Sequence, residues 1–143
     1  MRGDTLLQLA LGLAGAPSVP EATRVFGLEF VLEDPDDPSE GEAVVGEGFF
    51  SKAELGMNLW SQSGLLILRA RSSPPVHRNE LALERYGTLA PKLDPEGTTI
   101  YDFVVRGLAL SFEFTRDSDH LLAAFVEWPA LHRRSPFGGA EVV

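Results

Sequence analysis

Apolar and polar residues alternate most cleanly over residues 107–115. Leu108, Leu110, Phe112 and Phe114 fall on one side there, and Ala109, Ser111, Glu113 and Thr115 on the other. A period of two is the signature of a half-buried strand. The strand follows Val105-Arg106, with Gly107 where a hairpin favours positive φ, and it runs into Arg116-Asp117-Ser118-Asp119, a strong turn sequence. Companion strands are predicted over residues 99–104 and 120–128.

A similar unit lies 43 positions earlier, where Gly64-Leu65…His77…Glu84 aligns with Gly107-Leu108…His120…Glu127. Trp60 with Phe103, Ile67 with Leu110 and Leu83 with Val126 keep the same offset. The match predicts strands over 57–61, 64–71 and 79–86, and hence a sheet built from a tandem hairpin repeat over 57–128. Arg69 and Arg71 stand where the second copy has Phe112 and Phe114, so the inward face of the first copy is shifted or lies nearer an edge. Pro74-Pro75 makes its turn stiffer and wider, and residues 91–97 read as a linker.

Toward the N-terminus the period changes. Asp4 is a candidate N-cap for a helix over residues 5–14, with Gly15 and Pro17 as stop signals. Its apolar residues, among them Leu6, Leu7, Leu9, Leu11 and Leu13, surround the axis, which predicts burial on more than one side, against the sheet or against a second copy in a homodimer. Ser18-Val19-Pro20-Glu21 is a capping box for a second helix reaching Phe26 and ending at Gly27. Residues 28–32 alternate as a strand, residues 33–42 are acidic and Pro-rich and read as an exposed loop, and residues 43–50 return as a short strand. The expectation is one α+β domain over 1–143. It comprises a helical part (1–27), a strand and acidic loop (28–50), the duplicated hairpin sheet (57–128) and a frayed tail (134–143), with two N-terminal helices packed on the antiparallel β-sheet.

Composition narrows the function. The 143 residues are 44% hydrophobic and contain no cysteine, which removes disulfides and thiol chemistry. The net charge is −9, and it is gathered at one end: residues 1–48 hold ten acids against Arg2 and Arg24. With no Lys/Arg cluster beyond Arg133-Arg134, neither nucleic acid nor an anionic membrane is an expected partner. The apolar run after residue 5 is too short to span a bilayer. Asp4, Gln8 and Pro17 argue against a cleaved leader, so a cytoplasmic location is expected.

Candidate chemistry is sparse. His120 sits beside Asp117 and Asp119, His77 follows Pro-Pro, and His132 lies near the C-terminus; none belongs to a nucleophile, zinc or phosphate-loop motif. Glu84 and Glu127 occupy equivalent places in the two copies and form the alternative of a small enzyme with a carboxylate/His site. The prevailing expectation is no catalytic residue, no cofactor and no metal, but a partner surface. The segment 29–47 carries eight acids and no base, suited to steering a basic protein, and aromatics at strand ends are frequent interface anchors. Glu33, Asp34, Asp36, Asp37, Glu40, Glu42, Trp60 and Tyr101 are the expected contact residues.

The order Ser18-Val19-Pro20-Glu21…Phe26-Gly27, then Tyr101-Asp102-Phe103…Gly107-Leu108-Ala109-Leu110-Ser111-Phe112-Glu113-Phe114…Leu121-Leu122, resembles small bacterial toxin-immunity proteins of the β-lactamase-inhibitor-protein and small outer-membrane-lipoprotein group. The resemblance implies an α/β fold without shared catalytic residues, and tight binding that occludes the active site of a secreted toxin. The Leu-rich first helix departs from that pattern. The alternative from a different class is a homo-oligomeric structural or regulatory subunit joined through that helix.

Overall fold

A computed structural model describes residues 5–46, 48–58 and 60–129. Two helices, α1 (Thr5–Leu11) and α2 (Val19–Phe26), precede eight strands: β1 (Val31–Asp34), β2 (Asp37–Val44), β3 (Phe50–Asn58), β4 (Ser63–Ala70), β5 (Lys92–Leu93), β6 (Thr98–Val105), β7 (Leu108–Thr115) and β8 (Leu121–Glu127). All pairings are antiparallel, in the order β1-β2-β3-β4-β8-β7-β6-β5. The last strand is thus the seam between two four-stranded meanders. The α+β architecture, with helices N-terminal to an antiparallel sheet, is the one the sequence predicts. Among the described residues no helix is long and apolar enough to cross a membrane.

One face of the sheet builds the core. Leu66 and Leu68 of β4, Ala124 and Val126 of β8, and Leu110, Phe112 and Phe114 of β7 are at most 1% exposed. Register aligns them, with Leu66 and Leu110 both opposite Val126, and Leu68 and Phe112 both opposite Ala124. The helices cover this face. α1 contributes Leu7, Ala10 and Leu11, and α2 contributes Val19, Ala22 and Phe26. Trp128, fully buried just beyond β8, donates its indole N–H to the Leu13 carbonyl at 3.2 Å and so ties the end of the sheet to the chain leaving α1. α2 is capped as its sequence predicts: the Ser18 hydroxyl accepts from the Glu21 amide at 3.3 Å, and Gly27 closes the helix at φ 67°.

Several expectations are corrected. α1 is shorter than 5–14 and buries a single stripe, leaving Gln8 and Leu9 outward, because i, i+3, i+4 spacing suffices for one sheet face. The predicted strand 28–32 begins only at Val31. Residues 33–42 are not a loop but most of the β1–β2 hairpin, with Val31 opposite Glu42 and Leu32 opposite Gly41. Pro35 and Asp36 form its turn, where the Asp34 carboxylate accepts from the Asp36 amide at 3.0 Å. Pro38 falls in the stretch where the β1–β2 pairing is irregular, so its missing N–H costs no regular ladder bond. Gly41 is required here: a Cβ would lie 2.7 Å from the Val31 carbonyl oxygen and 2.9 Å from Val19, so only glycine lets β1 and α2 close on β2.

The duplicated unit also resolves differently. Residues 79–86 form two 3-10 turns, Arg78–Leu81 and Leu83–Tyr86, that drop Leu81 and Leu83 into the core and stack Tyr86 on Phe112. The first copy therefore has no counterpart of β8. Gly64 lies inside β4 opposite Met57, whereas Gly107 sits in the β6–β7 turn at φ 81°. At the 43-residue offset Ile67 would match Leu110, yet Leu66 is the residue that shares Leu110's partner. A slip of one residue exchanges the two faces, so the sequence match and the structural register disagree by one. The strand predicted over 57–61 is the end of β3 and the turn that follows, and the linker 91–97 contains β5, paired with β6. The capping role of Asp4, His132, Arg133-Arg134 and the frayed tail (134–143) lie outside the described residues.

Candidate functional site

The helices leave the second sheet face open. Its side chains form cross-strand rows set by the registers. One row runs Glu42, Glu54, Ile67, Phe125, Ser111 and Asp102; a second runs Lys52, Arg69, Ala123, Glu113 and Ile100. Apolar residues occupy the middle, with Leu65 beside Ile67, and Val31, Val44 and Val104 stand out at 68%, 82% and 78% exposure.

Among the described residues the cations of this face are already paired. Lys52 reaches Glu42 at 3.0 Å, Arg69 reaches Glu54 at 2.8 Å, and Lys92 pairs with Asp102. Each pair is exposed and contributes little stability. Their consequence is electrostatic: Lys and Arg are consumed in situ. Among the described residues no cation lies within ion-pair distance of Glu33, Asp34, Asp36, Asp37, Glu40 or Glu113, so the face retains an uncompensated negative charge concentrated at β1 and β2. Asp37 is held below the usual carboxylate range, chiefly by the Ser39 hydroxyl and amide that donate to it. Glu40 is pushed above its range by partial burial, by the charges of Asp37, Glu33 and Asp34, and by a hydrogen bond shared with Asp37. A shallow groove of about 210 Å³ opens at this place, with Glu33, Glu40, Glu42 and Glu54 around Leu65 and Ile67. Gly56 is part of its floor, and Glu40 Oε2 lies 3.9 Å from where a Cβ on Gly56 would stand.

Trp60 belongs to the β3–β4 turn and is 97% exposed. The turn is braced. The Asn58 side chain accepts from the amides of Trp60 (3.0 Å) and Ser61 (3.3 Å), Gln62 adopts φ 59°, and the Glu127 carboxylate accepts from Ser61 (2.9 Å) and Ser63. Because β2 and β3 are antiparallel neighbours, the β1–β2 turn with Asp34 and Asp36 projects from the same end of the sheet as Trp60. Two strand spacings, about 10 Å, separate neighbouring hairpin turns. The structure therefore brings together Glu33, Asp34, Asp36, Asp37, Glu40, Glu42 and, at the same end, Trp60.

Tyr101 is corrected. It is 7% exposed, packs edge-on against Phe114 at 5.6 Å and lies under Arg78, so it belongs to the core and offers a partner nothing. Glu84 and Glu127 are not a carboxylate pair. Glu84 is on the 3-10 turn that covers the helical face, whereas Glu127 points to the open face among Asn58, Ser61 and Ser63, with the sheet between them. His77 and His120 do meet, through an isolated bridge with rings 6.4 Å apart, but the His77 Nδ1 accepts from the Asn79 amide to cap a turn, and Asp119 pairs with Arg78 at 3.4 Å. Among the described residues no group of His, Asp and Glu could hold a metal ion. The sequence reading missed Glu54, Leu65, Ile67 and Phe125; the alternation of Leu66 and Leu68 with Leu65, Ile67 and Arg69 was the available signal.

No family model matches the chain, and no curated protein or solved structure matches it.

Proposed function

We propose that the protein is a non-enzymatic protein-binding domain that neutralises a basic bacterial toxin by occluding its active site, as an immunity protein does. The observation that carries this reading is the charge left on the β1–β2 hairpin: Glu33, Asp34, Asp36, Asp37 and Glu40 lack cationic partners among the described residues and share an end of the sheet with the fully exposed Trp60. A dense acidic surface speeds association with a basic protein and rejects acidic ones, and an exposed Trp on a braced turn supplies an anchor at low entropic cost. The α1 stripe is buried in the subunit, which favours this reading over an oligomer built through the first helix.

The test is co-expression with the product of an adjacent reading frame, read as cell survival and as a purified complex. A complex that weakens at least tenfold between low and high salt, and again in Trp60→Ala, is the expected result. The absence of both survival and a complex, with every adjacent basic product, would reject the reading.

A further inference from the structure

The open sheet face has a place for a definite kind of ligand. We infer that the groove over β2, β3 and β4 seats a cationic amphipathic segment of the partner, its Lys or Arg side chains reaching Glu33 and Glu40 and an aliphatic side chain resting on Leu65 and Ile67 above Gly56. The inference rests on the protein-binding reading above and adds the surface and the chemistry of what fills it.

Three observations converge. The groove is framed by four carboxylates, of which Glu42 and Glu54 are neutralised by Lys52 and Arg69, while Glu33 and Glu40 face one another's field without a cation. Its floor is apolar and has depth because Gly56 has no side chain between Glu40 and Leu65, which is its cross-strand partner. The occupant is a heterologous basic segment and not a second copy. Among the described residues every cation on this face is engaged, and the chain carries a net charge of −9, so two such faces repel. An aliphatic side chain alone gains little on so shallow a floor. A cation alone gains little in solvent. The segment that gains from both alternates the two.

The experiment uses the full chain, labelled with ¹⁵N, titrated with a short synthetic peptide of alternating lysine and leucine. A glutamine–leucine peptide and oligolysine of equal length are the comparators. The alternating cationic peptide is expected to shift the amides of Gly56, Leu65 and Ile67 and to bind at least tenfold more tightly than either comparator. Glu33→Gln/Glu40→Gln should lose about tenfold in affinity, and Gly56→Val, which fills the floor without a backbone conflict, should abolish the shifts while leaving the rest of the spectrum in place. Shifts centred on the Trp60 turn or the helices, equal affinity for oligolysine, or undiminished binding to the double variant would each overturn the inference. Toxin protection that survives Gly56→Val but fails in Trp60→Ala would remove the groove and leave the proposed function standing. Peptide binding at the groove with no toxin partner would do the opposite.

Discussion

Among the described glycines, Gly64 is the one where an added Cβ meets its nearest neighbour most closely, and Gly64→Ala measures how rigidly the loop between the helices is pinned to the sheet. A Cβ at this position would overlap the Ala16 methyl, while its next neighbours, the Ala16 Cα at 3.5 Å and the Trp128 ring at 3.8 Å, are ordinary contacts. Carbons meet at about 3.5–4.0 Å, so the whole conflict is one methyl against another, and neither methyl can rotate away. The loop must lift, which strains the Trp128 indole bond to Leu13 and costs about 2 kcal/mol, within the usual range for overpacking. For a chain of this size the melting temperature should fall by about 6–8 °C. Ala16→Gly removes the obstacle at a cost of about 0.5 kcal/mol through the unfolded chain. The double variant should therefore be as stable as Ala16→Gly alone, a coupling of about 2 kcal/mol in a double-mutant cycle read by thermal or urea unfolding. Additive losses would refute the reasoning, because they would mean that the helix linker does not close on β4 at Ala16.

The two tryptophans should report opposite environments. Trp60→Phe is expected to leave a blue-shifted emission that iodide cannot quench and a stability within about 0.5 kcal/mol of the parent, whereas quenching of the remaining Trp128 would contradict its burial. Asp102 is partly desolvated, which works against its charge, but Lys92 and the Ser111 hydroxyl outweigh that and hold its carboxyl below the usual range. An acid with a lowered native pKa adds stability above its unfolded value, near about 4, and loses it as pH falls through the native value. Asp102→Asn should thus cost well under about 1 kcal/mol at neutral pH, the pair being exposed, and should flatten the loss of stability below about pH 4; an unchanged acid limb would remove the assignment.

What could be read in the sequence was whatever one strand or helix declares by itself. The β7 alternation, the Asp-rich turn into β8, and the Ser18 and Gly27 caps of α2 are local patterns with local causes, and they stand where they were expected. The β1–β2 hairpin was hidden because its inward side needs only Gly41 and Ala43 beneath α2, so no large apolar residue announces a strand amid acids and prolines. Residues 79–86 misled because Leu81 and Leu83 alternate as in a strand yet enter the core from consecutive 3-10 turns. Tyr101 looked like an edge aromatic until Phe114 and Arg78 closed over it. The open face was beyond reach of any local pattern. Ile67 and Phe125 become neighbours only because β8 returns to β4, and that pairing is decided by the whole topology.

That return has a consequence for how the molecule comes to exist. Residues 121–127 zip the two meanders together, and they are among the last of the fold to leave a ribosome. Until then Leu66 and Leu68 on one side, and Leu110 and Phe112 on the other, have no shared partner, and the greasy inner edges of β4 and β7 stay bare. The native core therefore closes only once Leu121–Glu127 is available, and nascent chains stalled before Leu121 should be clients of chaperones.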